Sequence, residues 1–136
     1  MKRELINRAL EAREKAYAPY SHFKVGAAVL GEDGKIYTGC NIENASYGMT
    51  VCAERVAIFN MVSSGCRKFK ALAVVGGGKE DSAPCLACRQ VMTEFCESFD
   101  TPVYCNGPED VIFEHTMREI CPYPFVSFIP NEDYHD

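Results

Sequence analysis

Apolar residues near the N-terminus recur with a helical period. Leu5, Ala9, Ala12 and Ala16 follow one another at spacings of four and three, so they share one face of a helix over 3–17 that Pro19 ends. The period then changes. Val25 to Leu30 and Ile36 to Cys40 read as strands, and Gly31-Glu32-Asp33-Gly34-Lys35 between them has the turn chemistry of a β-hairpin. Asn41 to Thr50 is a polar loop. Val51 to Val62 reads as a second helix, apolar on most sides through Ala53, Val56, Ala57, Ile58, Met61 and Val62, with Thr50 as its N-cap. Ala71 to Val75, bounded by Gly76-Gly77-Gly78, reads as a central strand, and Lys79 to Pro84 as a loop. Cys85 to Phe99 is the third helix, with Val91, Met92, Phe95 and Phe99 on one side. Thr101 to Cys105 and Val111 to Phe113 read as the last strands, joined by a tight reversal at Asn106-Gly107-Pro108. A short helix near Glu114 to Cys121 ends at Pro122 and Pro124. The order α-β-β-α-β-α-β-β-α implies an α/β fold, a mixed five-stranded sheet with helices on its faces.

No repeat, low-complexity tract or linker divides the 136 residues, so one domain over 1–136 is expected. No apolar run approaches the length of a membrane span. Met1-Lys2-Arg3-Glu4-Leu5-Ile6 mixes both charge signs and lacks the apolar centre of a signal peptide, so a cytoplasmic location is expected. The net charge of −5 with no basic stripe argues against nucleic acid as a partner. It leaves room for a small neutral nucleoside.

Eight cysteines change the picture: Cys40, Cys52, Cys66, Cys85, Cys88, Cys96, Cys105 and Cys121. An even count suggests disulfides only where the compartment oxidises, and nothing here indicates export. Three of them stand apart. Cys52-Ala53-Glu54 is followed, after a long gap, by Pro84-Cys85-Leu86-Ala87-Cys88. Three thiolates can hold Zn²⁺, and a tetrahedral zinc with three protein ligands keeps a fourth position for water, which is the catalytic arrangement. Glu54 supplies the carboxylate such a water needs as a proton partner. An isolated Glu at a helix start would merely favour the dipole. Beside a zinc ligand on a mostly apolar helix, burial next to the metal is the stronger reading. The remaining five cysteines read as small hydrophobes or bystanders.

Cys52 and Cys85 each fall near a predicted helix N-terminus, where free N–H groups and the dipole favour anions and lower a thiol pKa. Cys88, three residues after Cys85, faces the same side of the first turn. Three thiolates around Zn²⁺ carry a formal charge of −1, so a positive partner is expected, and Arg55 and Arg89 are the candidates. His22, His115 and His135 show no ligand spacing with the cysteines.

Cys52-Ala53-Glu54-Arg55 with Pro84-Cys85-Leu86-Ala87-Cys88-Arg89-Gln90 resembles the signature of the zinc-dependent cytidine deaminases of the small homotetrameric type. A Cys₃ donor set with a non-ligand Glu is the established mark of zinc deaminases rather than something spacing alone establishes. Tyr17-Ala18-Pro19-Tyr20-Ser21, Phe23-Lys24-Val25-Gly26-Ala27-Ala28 and Asn41-Ile42-Glu43-Asn44-Ala45-Ser46-Tyr47-Gly48 also resemble family segments. The resemblance implies a three-layer α-β-α sandwich, one Zn²⁺ per subunit on Cys52, Cys85 and Cys88, and Glu54 as proton shuttle. It implies ribose contacts from Asn41 and Glu43, packing of Phe23 on the pyrimidine, and pocket roles for Ala45, Tyr47 and Ala53. Phe125 resembles an aromatic that enters a neighbouring subunit's site, and Arg55 one that hydrogen-bonds the ligand thiolates. A homotetramer with shared sites follows. Two positions depart from the family: Leu86 where Gly is usual, which would crowd the helix start, and Pro124 where Ala is common, which affects the aim of Phe125.

The reaction so implied is hydrolytic deamination of cytidine and 2′-deoxycytidine to uridine and 2′-deoxyuridine. One alternative is a deaminase of a cytosine-nucleoside antibiotic of the blasticidin type. From other classes come a zinc-stabilised binding module, which needs a fourth protein ligand, and a thiol oxidoreductase using Cys85 and Cys88.

Overall fold

The computed structural model of the chain describes residues 1–77 and 82–126. Its elements run α1 (Lys2–Arg13), β1 (Gly26–Gly31), β2 (Ile36–Cys40), α2 (Ala53–Ser63), β3 (Phe69–Val75), α3 (Leu86–Phe95), β4 (Pro102–Asn106), β5 (Ile112–Thr116) and α4 (Met117–Ile120). This is the order read from the hydrophobic pattern. The strands form one sheet in the order β2-β1-β3-β4-β5. Only β3 and β4 run parallel, through Leu72↔Val103, Ala73↔Tyr104 and Val74↔Cys105. The other neighbours are antiparallel.

Alternation along the strands splits the core into two layers. On one face Leu5, Ile6 and Ala9 of α1 pack against Ala28, Ala71, Ala73 and Val75. On the other, Ala27, Val29, Leu72, Val74 and Val103 meet Ala57, Ile58 and Met61 of α2 and Met92 of α3. Both helices lie close to the hairpin because two strand positions lack a side chain. A Cβ on Gly26 would stand 2.0 Å from the carbonyl oxygen of Ala9, and one on Gly39 would stand 2.4 Å from the amide nitrogen of Ala57.

Several boundaries differ from the sequence reading. The first helix stops at Arg13, so Ala16 lies beyond it. Thr50 does not cap α2: its hydroxyl accepts from the Asn44 amide at 3.1 Å, and Cys52 occupies the N-cap position. The third helix ends at Phe95 because the chain then pairs with the start of β3, with Cys96 bridged to Phe69 and the Glu97 amide donating to the Phe69 carbonyl. Phe99 therefore lies outside it. Strand β5 extends to Thr116, since Pro102 of β4 still offers a partner there. The last helix is correspondingly short, and Thr116 with Glu119 forms a capping box at its start. The loop before α2 contains a 3₁₀ turn, Tyr47–Met49. One side of α2, around Phe59, is open to solvent rather than covered. Of the predicted Lys79 to Pro84 loop, residues 79–81 lie outside the described residues, as does His135.

No disulfide joins any of the eight cysteines. Cys66, Cys96 and Cys105 are buried in the core as small apolar residues. Among the described residues no helix is long and apolar enough to cross a membrane.

Candidate active site

Two helix starts meet at the site. Cys52 is the N-cap residue of α2 and Cys85 that of α3, while Cys88 lies inside the first turn of α3. Helix geometry places Cys85 and Cys88 on one side, with sulfurs 3.5 Å apart. All three sulfurs lie within 4.8 Å of one another. A tetrahedral zinc with bonds of about 2.3 Å needs sulfurs separated by about 3.8 Å, so small side-chain adjustments complete the match. Among the described residues this is the one cluster of metal-ligating side chains. Neither His22 nor His115 belongs to it.

Electrostatics agree with that use. The Cys88 thiol donates to Cys52, and with help from Arg55 this holds the Cys52 thiol well below its usual range. Cys88 moves the opposite way, because it keeps the shared proton and is buried beside Glu54. Three thiols this close compete for protons. A dication is the natural replacement for those protons, and its binding releases them. Arg55 Nη2 reaches Cys52 Sγ at 3.5 Å, and its Nε is buried without a partner among the described residues. A guanidinium so placed would offset the surplus negative charge of three thiolates. Arg89 does something else: its Nε donates to the Pro84 carbonyl at 2.6 Å and its Nη1 to the Ile120 carbonyl at 3.0 Å. It fastens the backbone before Cys85 and touches no sulfur.

Glu54, 4% exposed, sits one residue inside α2. Burial, reinforced by the charge of Cys52, raises its carboxyl to about 7. It lines a cavity of about 210 Å³ together with Asn41, Cys52, Ala53, Val74 and Ser82. Val25, Thr50 and Ala83 complete that lining. Of these, Val25, Thr50, Val74, Ser82 and Ala83 are not candidate site residues in the sequence reading. The position of Ser82-Ala83 immediately before Pro84-Cys85 was the available signal.

Asn41 and Glu43 are buried, not solvated turn residues. The Asn41 carboxamide accepts from the Val25 amide at 2.8 Å and donates to the Phe23 carbonyl at 2.8 Å. Glu43 accepts from the amides of Tyr20 and Ser21 at 3.0 and 3.1 Å and from the Ser21 hydroxyl. The Ser21 hydroxyl, ahead of these amides, holds the Glu43 carboxyl below the ordinary range despite its desolvation. Both side chains thus hold the 20–25 segment, and each keeps spare capacity. Asn41 uses two of its four hydrogen-bonding sites, and Glu43 uses three of about four.

The other expected pocket residues are not all brought together within one chain. Ala53 is buried in the cavity wall. The Phe23 ring packs beside Gly76, at the end of β3, and is half exposed. Ala45, Tyr47 and Phe125 are exposed and line no part of the cavity. Leu86 is 76% exposed and lines no part of the cavity.

Residues 1–104 match the family described as the cytidine and deoxycytidylate deaminase zinc-binding region. The chain belongs to the cytidine deaminase family. It is 53% identical over 122 residues to a cytidine deaminase of Sporosarcina psychrophila, covering 90% of this chain and 89% of that one. It is 50% identical over 132 residues to a cytidine deaminase of Halalkalibacterium halodurans, covering 97% and 96%. The crystal structure of a cytidine deaminase from Burkholderia pseudomallei superposes with a TM-score of 0.86 at 46% identity, over 92% of this chain and 99% of that one. In this family setting the three-layer sandwich and the Cys52, Cys85 and Cys88 zinc site are accounted for together. These relatives favour the cytidine reading over the antibiotic, binding-module and oxidoreductase alternatives.

Proposed function

We propose that this chain hydrolyses cytidine and 2′-deoxycytidine to uridine and 2′-deoxyuridine, releasing ammonia. What carries the reading is a single juxtaposition: Cys52, one of three clustered sulfurs, and a buried Glu54 line one cavity together with Asn41. Zinc on Cys52, Cys85 and Cys88 supplies Lewis acidity that brings the pKa of a water toward neutrality. Glu54 takes a proton from the attacking water and passes it to N3 of the pyrimidine, which makes C4 electrophilic. The water oxygen bonds to C4, and Glu54 carries its remaining proton to the 4-amino group, so that the C4–N bond breaks, ammonia leaves and the C4 carbonyl is left. A carboxyl raised by burial to about 7 exchanges protons readily in both directions. The assay is the ultraviolet change on mixing purified zinc-loaded protein with cytidine. No change in absorbance sinks the proposal.

The spare sites on Asn41 and Glu43 bind the ribose hydroxyls, and Phe23 packs on the ring. Removing a hydrogen bond to a charged group costs about 1.5–3 kcal/mol, so Glu43→Ala is expected to lower kcat/KM for cytidine roughly ten- to a hundredfold. Free cytosine, which lacks the sugar, should be a poor substrate that the same change barely affects. An equal loss on both substrates would mean that Glu43 serves only the 20–25 segment.

The assembly is a homotetramer in which Ala45, Tyr47 and Phe125 complete neighbouring sites. Support comes from a groove of about 480 Å³ that Ile42, Glu43, Met49, Val56 and Phe59 line. Its large apolar members are exposed in the single chain, Phe59 at 48%. The groove shares Glu43 with the sugar clamp, so a second copy seated there lies beside the site. Phe59→Asp is expected to shift the sedimenting species to a smaller mass. An unchanged mass would place the interface elsewhere. Thiol ligands need a reducing compartment, which is consistent with the cytoplasm.

A further inference from the structure

The wall of the cavity that leads into Cys85 is held from an unexpected place. Strands β3 and β4 are the one parallel pair, and their ladder ends at Val74↔Cys105. Just past it, the side chain of Asn106 takes over the role of backbone. Its Oδ1 accepts from the Gly76 amide at 2.9 Å, and its Nδ2 donates to the Gly76 carbonyl at 2.8 Å. Oδ1 also accepts from the Ser82 hydroxyl. The Ser82 amide, in turn, donates to the Asn106 carbonyl at 3.0 Å. Arg13 adds a second donor to the Gly76 carbonyl at 3.0 Å. One residue therefore ties both ends of the 76–82 connection to the carboxyl end of β4. Ligands of α/β sheets bind at such carboxyl ends, where connections diverge.

Ser82 and Ala83 line the cavity with Glu54. Gly76 carries the ring of Phe23, which a Cβ there would meet at 3.2 Å. Pro84, the next residue toward the metal, is held separately by Arg89. Cavity wall and metal ligand are thus positioned by two different side chains.

We propose that Asn106 is a positioning residue for nucleoside binding: its carboxamide fixes the Ser82-Ala83 wall and the Phe23 platform relative to the reacting centre. The inference rests on the deaminase reading and adds a determinant of substrate affinity outside the signature motifs. The wall touches substrate and transition state alike, so its loosening removes uniform binding. That raises KM and leaves kcat nearly alone.

The test compares Asn106→Leu and Ser82→Ala with the parent enzyme, all zinc-loaded. Loss of these uniform binding contacts is expected to raise KM for cytidine about ten- to a hundredfold in Asn106→Leu. The change in kcat should stay below about threefold. Zinc remains at parent level, and the Gly76 amide exchanges its hydrogen faster. Ser82→Ala, which retains the Gly76 pair, should move KM in the same direction by less. The double variant should resemble Asn106→Leu alone, because both changes break one network. Should Asn106→Leu fail to fold, the Ser82→Ala shift in KM with unchanged zinc carries the test. An unmoved KM in a folded variant beside an active parent overturns the clamp and leaves the deaminase reading intact. Loss of zinc with KM unmoved also overturns it. A parent inactive on cytidine sinks both readings together.

Discussion

Glu54→Gln will keep its zinc and lose turnover. The substitution preserves the shape of a side chain buried in the cavity wall beside Cys52 and Cys88, and it leaves all three sulfurs in place. Only proton transfer is removed. A positioned general acid/base contributes on the order of 10²–10⁴ in rate, and here one carboxyl serves two transfers, so kcat should fall by at least the upper part of that range. Binding should survive, because the sugar and ring contacts come from other residues. Single-turnover assays with metal analysis on the same sample separate the two quantities. A variant that deaminates cytidine at the parent rate would remove Glu54 from the mechanism.

Cys88→Ala will lose zinc, activity and stability together. Cys88 is fully buried, and its sulfur is one of the three that converge. Two remaining thiols, one of them exposed, make a poor site for a metal that takes four ligands. Metal that binds only the folded chain adds its binding energy to folding, about 4 kcal/mol at a thousandfold excess over Kd. For a chain of this size that corresponds to a fall in Tm on the order of 10 °C. Chelation of the parent enzyme should reproduce the fall, and the variant should no longer respond to chelator. Cys121, half-buried and outside the cluster, provides the control: Cys121→Ala should retain metal and turnover. Full zinc content in Cys88→Ala would mean that another group completes the site.

Both predictions concern residues visible in the sequence, and the reason is local. A thiol at a helix N-cap, a second one turn on, and an acid two residues after a third are arrangements that spacing along the chain reveals. The order of elements was legible for the same reason, since periodicity changes wherever a helix gives way to a strand. Ends of elements were less so. Cys85 to Phe99 looks helical throughout, yet the helix stops at Phe95, where the start of β3 competes for the backbone of Cys96 and Glu97. Thr50 has the chemistry of a cap but spends its hydroxyl on Asn44.

Asn41 and Glu43 have a part that the resemblance does not mention: in the folded chain they clamp residues 20–25. Asn106 carried no signal at all, because its partners Gly76 and Ser82 lie 30 and 24 residues away. The amino-acid sequence by itself determined the donor set, the acid beside it and the succession of elements, since each depends on neighbours within a turn or a strand. Tertiary structure alone decided which helix starts share a cavity, which backbone each side chain captures and which apolar face of α2 is left open. Those outcomes depend on strand pairing between distant segments, and no local pattern encodes which distant groups will compete for a hydrogen bond.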